Sequence, residues 1–147
     1  MQLKIEPNQG GKNFLGSRND DTTLNAIKLW CNNGKTITST QGPWGEWQDS
    51  KRCRTVYHMK GAKLRSEKYQ KKGDDTTANG LKFDCTDGGT HSPGDGFWGE
   101  WSLTESCPHG SAVYGIQTRV EASVGKYDDI ALNSVKFLCA KLLQWPQ

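Results

Sequence analysis

Two tetrads, Trp44-Gly45-Glu46-Trp47 and Trp98-Gly99-Glu100-Trp101, each place a carboxylate between two indoles. A flat indole can cover the apolar face of a sugar ring while a neighbouring carboxylate accepts hydrogen bonds from its hydroxyls. Trp44, Glu46, Trp47, Trp98, Glu100 and Trp101 are therefore the candidate carbohydrate-binding residues. Packing in a core is the competing use of the same rings: if the tetrads are strands, alternation turns one indole inward and leaves the other at the surface with the glutamate. A second acidic pattern occurs three times: Asp20 and Asp21 with Asn25, Asp74 and Asp75 with Asn79, Asp128 and Asp129 with Asn133. Glycoside chemistry needs two carboxyl groups about 5 to 9.5 Å apart, and these acids with Glu46 and Glu100 are the candidates, although a linear sequence fixes no distance between them. Asp and Asn side chains also cap turns by accepting backbone N–H groups, and three equivalent copies favour that architectural role. The spacing lacks the alternating oxygen ligands of a calcium loop. His58, His91 and His109 have no companions at zinc-ligand spacing. Nucleophile elbows, phosphate loops and dinucleotide fingerprints are missing. No catalytic residue, metal or cofactor is expected.

The elements that would position these residues follow a repeat. Cys31, Cys85 and Cys139 are spaced 54 apart, and the tetrads and the pair Cys53 and Cys107 keep the same step. A fixed period implies one supersecondary unit per copy, unable to bury its apolar face alone. Ile27, Leu29 and Cys31 alternate onto one face of a strand, as do Leu81, Phe83 and Cys85, and Val135, Phe137 and Cys139; these faces are the predicted core. Partner strands are expected over residues 1–6, 62–67 and 116–121, and hairpins at Asn32-Asn33-Gly34 and Thr86-Asp87-Gly88-Gly89. The first copy carries an extra loop around Asn8 to Ser17. A third tetrad, due at residue 152, lies beyond the 147-residue sequence. The expected organisation is one domain over 1–147, with a partial unit at 1–31 and full units at 44–85 and 98–139.

Composition suits short half-exposed strands joined by turns: 33% hydrophobic residues, 17 glycines and 6 tryptophans. The net charge of +3 is spread along the chain, with Lys68, Lys71 and Lys72 the one basic cluster, which is too little for a nucleic-acid footprint. No apolar run approaches the ~20 residues of a membrane span, and the first residues lack the apolar core of a signal peptide. Five cysteines allow two pairs and one orphan. Repeat symmetry leaves two schemes open: Cys31 with Cys53 and Cys85 with Cys107, or Cys53 with Cys85 and Cys107 with Cys139.

Taken together, Trp-Gly-x-Trp, a cysteine, a strand ending in Glu, Asp-Asp-Thr-x-x-Asn and a strand ending in Cys resemble the vitelline membrane outer layer protein I family from about Leu3 to Cys139. The resemblance implies an all-β fold: a β-prism of the first type, with three antiparallel Greek-key sheets about a pseudo-threefold axis. It implies a secreted, extracellular coat protein, with glycans or coat glycoproteins as partners. Related prisms are lectins, and the egg protein has been linked to N-acetylglucosamine oligomers, so a glycan-processing enzyme is the alternative to a non-catalytic binder. The family's cysteine pattern favours the second scheme and leaves Cys31 as a free thiol. Family members carry a further Trp-Gly-x-Trp segment ahead of the first strand. Its absence from this sequence implies an uncovered strand pair, to be filled by Leu142, Leu143 and Trp145 or by a partner, with a dimer through Cys31 or that strand pair.

Overall fold

The computed structural model describes residues 1–7, 23–67, 78–96, 98–120 and 132–143. Four of the expectations fall outside them: the aspartate pairs Asp20 and Asp21, Asp74 and Asp75, Asp128 and Asp129; the extra loop of the first copy; the cluster of Lys68, Lys71 and Lys72; and the covering role of Trp145. Every regular element among the described residues is a β-strand: β1 (Gln2–Ile5), β2 (Leu24–Trp30), β3 (Thr36–Thr38), β4 (Glu46–Trp47), β5 (Met59–Ser66), β6 (Ala78–Cys85), β7 (Thr90–His91), β8 (Glu100–Trp101), β9 (Glu105–Ser106), β10 (Ser111–Val120) and β11 (Leu132–Lys141).

These strands form three antiparallel sheets. The first runs β3-β2-β1-β4; the second runs β7-β6-β5-β8, with β9 also on the outer edge of β5; the third is the pair β10-β11. An order in which the fourth strand returns beside the first of three hairpin-linked strands is a Greek key, and the first two sheets share it. The inner strands β2, β6 and β11 each contact the other two, which closes the sheets into a β-prism. The expected hairpins are present. Gly34 and Gly88 donate their amides to the carbonyls of Cys31 and Cys85, and β3 and β7 pair back onto β2 and β6.

The ladders repeat in register. Leu3 opposes Ile27, Leu64 opposes Leu81 and Thr118 opposes Val135. Each ladder then slips by one residue at the same place, and the extra residue is Asn25 in β2, Asn79 in β6 and Asn133 in β11. The three asparagines expected in turns are thus the extra residues of β-bulges inside strands. A bulge leaves a residue outside the ladder, where its backbone needs other partners. The Asn25 and Asn79 carbonyls accept the Gly42 and Gly96 amides.

The core draws on all three sheets: Leu3, Leu24, Ile27, Leu81, Phe83 and Leu132 are almost wholly buried. The expected core faces are realised unequally. Ile27, Leu29, Leu81, Phe83 and Cys85 are buried, whereas Val135 and Phe137 are half-buried and Cys31 and Cys139 are not in the core. The third sheet has two strands among the described residues, and its cysteine end borders an open cleft. Leu143 does not cover that sheet, being 90% exposed, while Leu142 lines the cleft.

Candidate functional site

Each tryptophan tetrad is set by its glycine. Gly45 and Gly99 have φ of +83° and +85°, a left-handed conformation that L side chains rarely adopt. Both lie so close to the neighbouring strand that a Cβ would sit 2.5 Å from Ile5 and Glu6 backbone atoms in one case and 2.3 Å from the Ser66 carbonyl in the other. The chain therefore bends through Trp44-Gly45 and Trp98-Gly99, and strand pairing begins only at Glu46, opposite Ile5, and at Glu100, opposite Ser66. Strand alternation does not run through the tetrads, and the sequence-based expectation of an inward indole is corrected accordingly. Trp44, Trp47, Trp98 and Trp101 all lie outside the buried core, and the bend leaves Trp44 and Trp98 48% and 49% exposed.

Basic side chains hold these bends. Lys4 Nζ donates to the Gly42 carbonyl at 2.9 Å. At the equivalent place Arg65 donates from Nη1 to the Gly96 carbonyl at 2.9 Å and from Nε to the Gly99 carbonyl at 3.0 Å, and pairs with Asp95 at 3.2 Å. A second set covers the strand indoles, with Lys28 Nζ 4.2 Å from the Trp47 ring centre and Lys82 Nζ 4.4 Å from that of Trp101. Such cation–π contacts contribute about 0.5–1 kcal/mol at exposed sites. They also occupy a ring face, so the accessible aromatic surface of each tetrad is chiefly the half-exposed Trp44 or Trp98. Glu46 and Glu100 are exposed on β4 and β8, which belong to different sheets. In the third sheet the equivalent residues, Arg119 and Lys136, are both exposed.

The disulfides are Cys53–Cys85 and Cys107–Cys139, each closing a separation of 32 residues with Cα atoms 5.7 Å apart, and Cys31 is a free thiol. No group of three His, Cys, Asp or Glu side chains among the described residues is gathered to hold a metal ion. The Asp87 carboxyl is held below its ordinary range by the Gly89 amide and then by Arg54, whose Nε lies 2.9 Å from Asp87 Oδ2. Two features were out of reach of sequence reasoning. The lysine and arginine supports come from strands distant in sequence, and only the strand register brings them to the tetrads. An open cleft at the cysteine end of the prism is lined by Cys31, Trp30 and Tyr57 among others.

Comparison with known proteins gives one consistent result. The family model described as Vitelline membrane outer layer protein I (VOMI) matches residues 1–142. The human protein named Vitelline membrane outer layer protein 1 homolog is 36% identical over 150 residues, covering 96% of this chain and 69% of the relative. The mouse protein of the same name is 36% identical over 148 residues, covering 95% of this chain and 69% of the relative.

Proposed function

The chain belongs to the vitelline membrane outer layer protein I family, and from that membership we propose that it is a secreted, non-catalytic, glycan-binding component of an extracellular coat. Its relatives are named for such a coat, and two disulfides suit an oxidising compartment. The observation that carries the binding half is the paired presentation of Trp44 and Trp98. Each is half exposed on a bend fixed by a glycine and a basic side chain, beside an exposed glutamate. A half-exposed indole on a bend fixed by the backbone offers a flat apolar face at little entropic cost, and Glu46 or Glu100 supplies the hydroxyl acceptor. Trp47 and Trp101, under their lysines, act as supports.

N-acetylglucosamine oligomers are the first ligands to try, by calorimetric titration. Binding should weaken roughly tenfold or more in Trp44→Ala and in Trp98→Ala, with thermal stability little changed because both rings are half exposed. A titration without heat across these oligomers and other coat glycans would remove the binding role. The rival reading, glycan processing by a carboxylate pair, requires oligomer lengths to change on incubation, as read by mass spectrometry. Glu46 and Glu100 stand on separate sheets, and we expect no change.

A partner is favoured by a separate observation. Arg119 and Lys136 occupy the positions whose equivalents clamp and cover the tetrads in the other two sheets, and no described strand pairs with the outer edge of β10. We expect this edge, or Cys31, to mediate association with a second copy or a coat protein. A dimer on non-reducing gels that Cys31→Ser abolishes would identify the thiol route, and a dimer seen by size-exclusion chromatography that survives both the substitution and reductant would identify the strand edge.

A further inference from the structure

The two tetrads gather at one end of the prism. Strand β5 runs from Met59 to Ser66, which pairs with Glu100, and the chain at β1 runs from Met1 to Ile5, which pairs with Glu46. Met1 and Met59 mark the other end, and there the three sheets part around an open cleft of about 870 Å³. That volume lies in the range of small-molecule sites, about 300–1,000 Å³. Each sheet contributes to its floor: Leu29 from the first, Phe83 from the second and Ala112 from the third, all under 10% exposed. Trp30, Tyr57 and Tyr114 stand around it, Tyr57 and Tyr114 being 40% and 60% exposed.

The floor of this lining is apolar, and the polar side chains Asn32, Asn33, Thr55 and His58 line it elsewhere. A floor of aliphatic and aromatic carbon would leave sugar hydroxyls without hydrogen-bond partners, which disfavours a glycan there. The charged residues of the cleft are Arg52, Arg54 and Lys141, and among the described residues no aspartate or glutamate lines it. Arg54 is committed to Asp87 at 2.9 Å. Arg52 lies 4.8 Å from the centre of the Trp30 ring, a partner that neutralises none of its charge. Lys141 is exposed on the last residue of β11. The cleft thus combines an apolar interior with a cationic rim.

We propose that this cleft binds a single-chain anionic amphiphile of the fatty carboxylate class, with its acyl chain on the Leu29, Phe83 and Ala112 floor and its carboxylate at Arg52 and Lys141. The site lies at the opposite end of the molecule from the proposed glycan surface and stands or falls separately from it. Cys31 lines the cleft and is a free thiol, so its alkylation by the neutral reagent iodoacetamide reports occupancy. Dodecanoate below its micellar concentration should slow the reaction saturably. Half-saturation should fall about fourfold per methylene from octanoate to dodecanoate, as expected for burial of each added carbon. Replacing both exposed cations, Arg52→Gln with Lys141→Gln, should weaken dodecanoate roughly tenfold by loss of its charged partners and leave dodecanol unaffected. The methyl resonances of Ala112 and Ala140 should shift with the same half-saturation. Unchanged alkylation in submicellar dodecanoate, equal protection by dodecyltrimethylammonium, or resonance shifts confined to Trp44 and Trp98 would each overturn the proposal.

Discussion

A Cβ added at Gly45 would meet the Ile5 and Glu6 backbone at 2.5 Å, whereas one added at Gly34, whose φ is nearly the same at +81°, would meet nothing within 4 Å. The two glycines separate conformational strain from close approach. Gly34→Ala should cost about 1–2 kcal/mol, the strain of a left-handed L-residue. Gly45→Ala and Gly99→Ala should cost about 3 kcal/mol or more, because the outer strand must also move away from β1 or β5. Urea unfolding of the three variants measures the difference, and equal losses would mean that the close approach contributes nothing. At Asp87 the prediction concerns pH. Its folded-state pKa is depressed by the Gly89 amide and Arg54, so its contribution to stability is present above the unfolded-state value, about 3.9, and disappears as pH falls through the lower folded-state value. Wild type should lose more thermal stability than Asp87→Asn between pH 5 and pH 2. Equal losses would show that the hairpin contact has no effect on folding. The tetrads show how far residues could be read in advance. Their chemistry was legible from composition and spacing. Their geometry was not, because a glycine can take either sign of φ and the sequence does not say which.

At the scale of elements, the repeat made most strands legible. Strong alternation over Ile27, Leu29, Leu81 and Phe83 gave the inner strands, and Asn-Gly and Asp-Gly gave the hairpins. The bulges were not legible, because Asn before a strand reads as a turn residue, and only the slipped register of Lys4/Ile5, Arg65/Ser66 and Arg119/Val120 shows it inside the ladder. The same bulge recurs at these asparagines in all three sheets. Asn25 and Asn79 are completely buried and Asn133 is half-buried. Asn25→Ala and Asn79→Ala should each cost about 1–3 kcal/mol, the loss expected when a buried polar side chain leaves its neighbours unsatisfied, and Asn133→Ala should cost less. Chemical denaturation of the three variants tests the order. A larger loss at Asn133 than at Asn25 would contradict the view that burial sets the cost.

At the scale of the whole molecule, the two disulfides do different work despite equal spacing. By the chain-entropy relation a 32-residue separation corresponds to about 4 kcal/mol for each. Cys85 is completely buried within the second sheet, among the core residues. Cys107 instead donates its amide to the Lys60 carbonyl on β5 at 2.7 Å and bonds through sulfur to Cys139 on β11, so it staples the second sheet to the third. The third sheet depends on that staple more than its length suggests, since Val135 and Phe137 are half-buried and its cysteine end faces the cleft. Removing Cys53–Cys85 by paired serine substitution should therefore lower stability across all three sheets together. Removing Cys107–Cys139 should first release β10 and β11, seen as faster amide hydrogen exchange there while β5 and β6 keep their protection. If exchange in β10 and β11 stays as slow as in β5 and β6 without the staple, the third sheet is held by the packing of β10 against β5 and of β11 against β2 and β6. Release would also loosen the cleft wall formed by Ala112, Val113 and Ala140 while leaving the Trp44 and Trp98 bends in place. The staple variant should accordingly lose dodecanoate protection of Cys31 before it loses glycan binding, tying each proposed site to the sheets that build it.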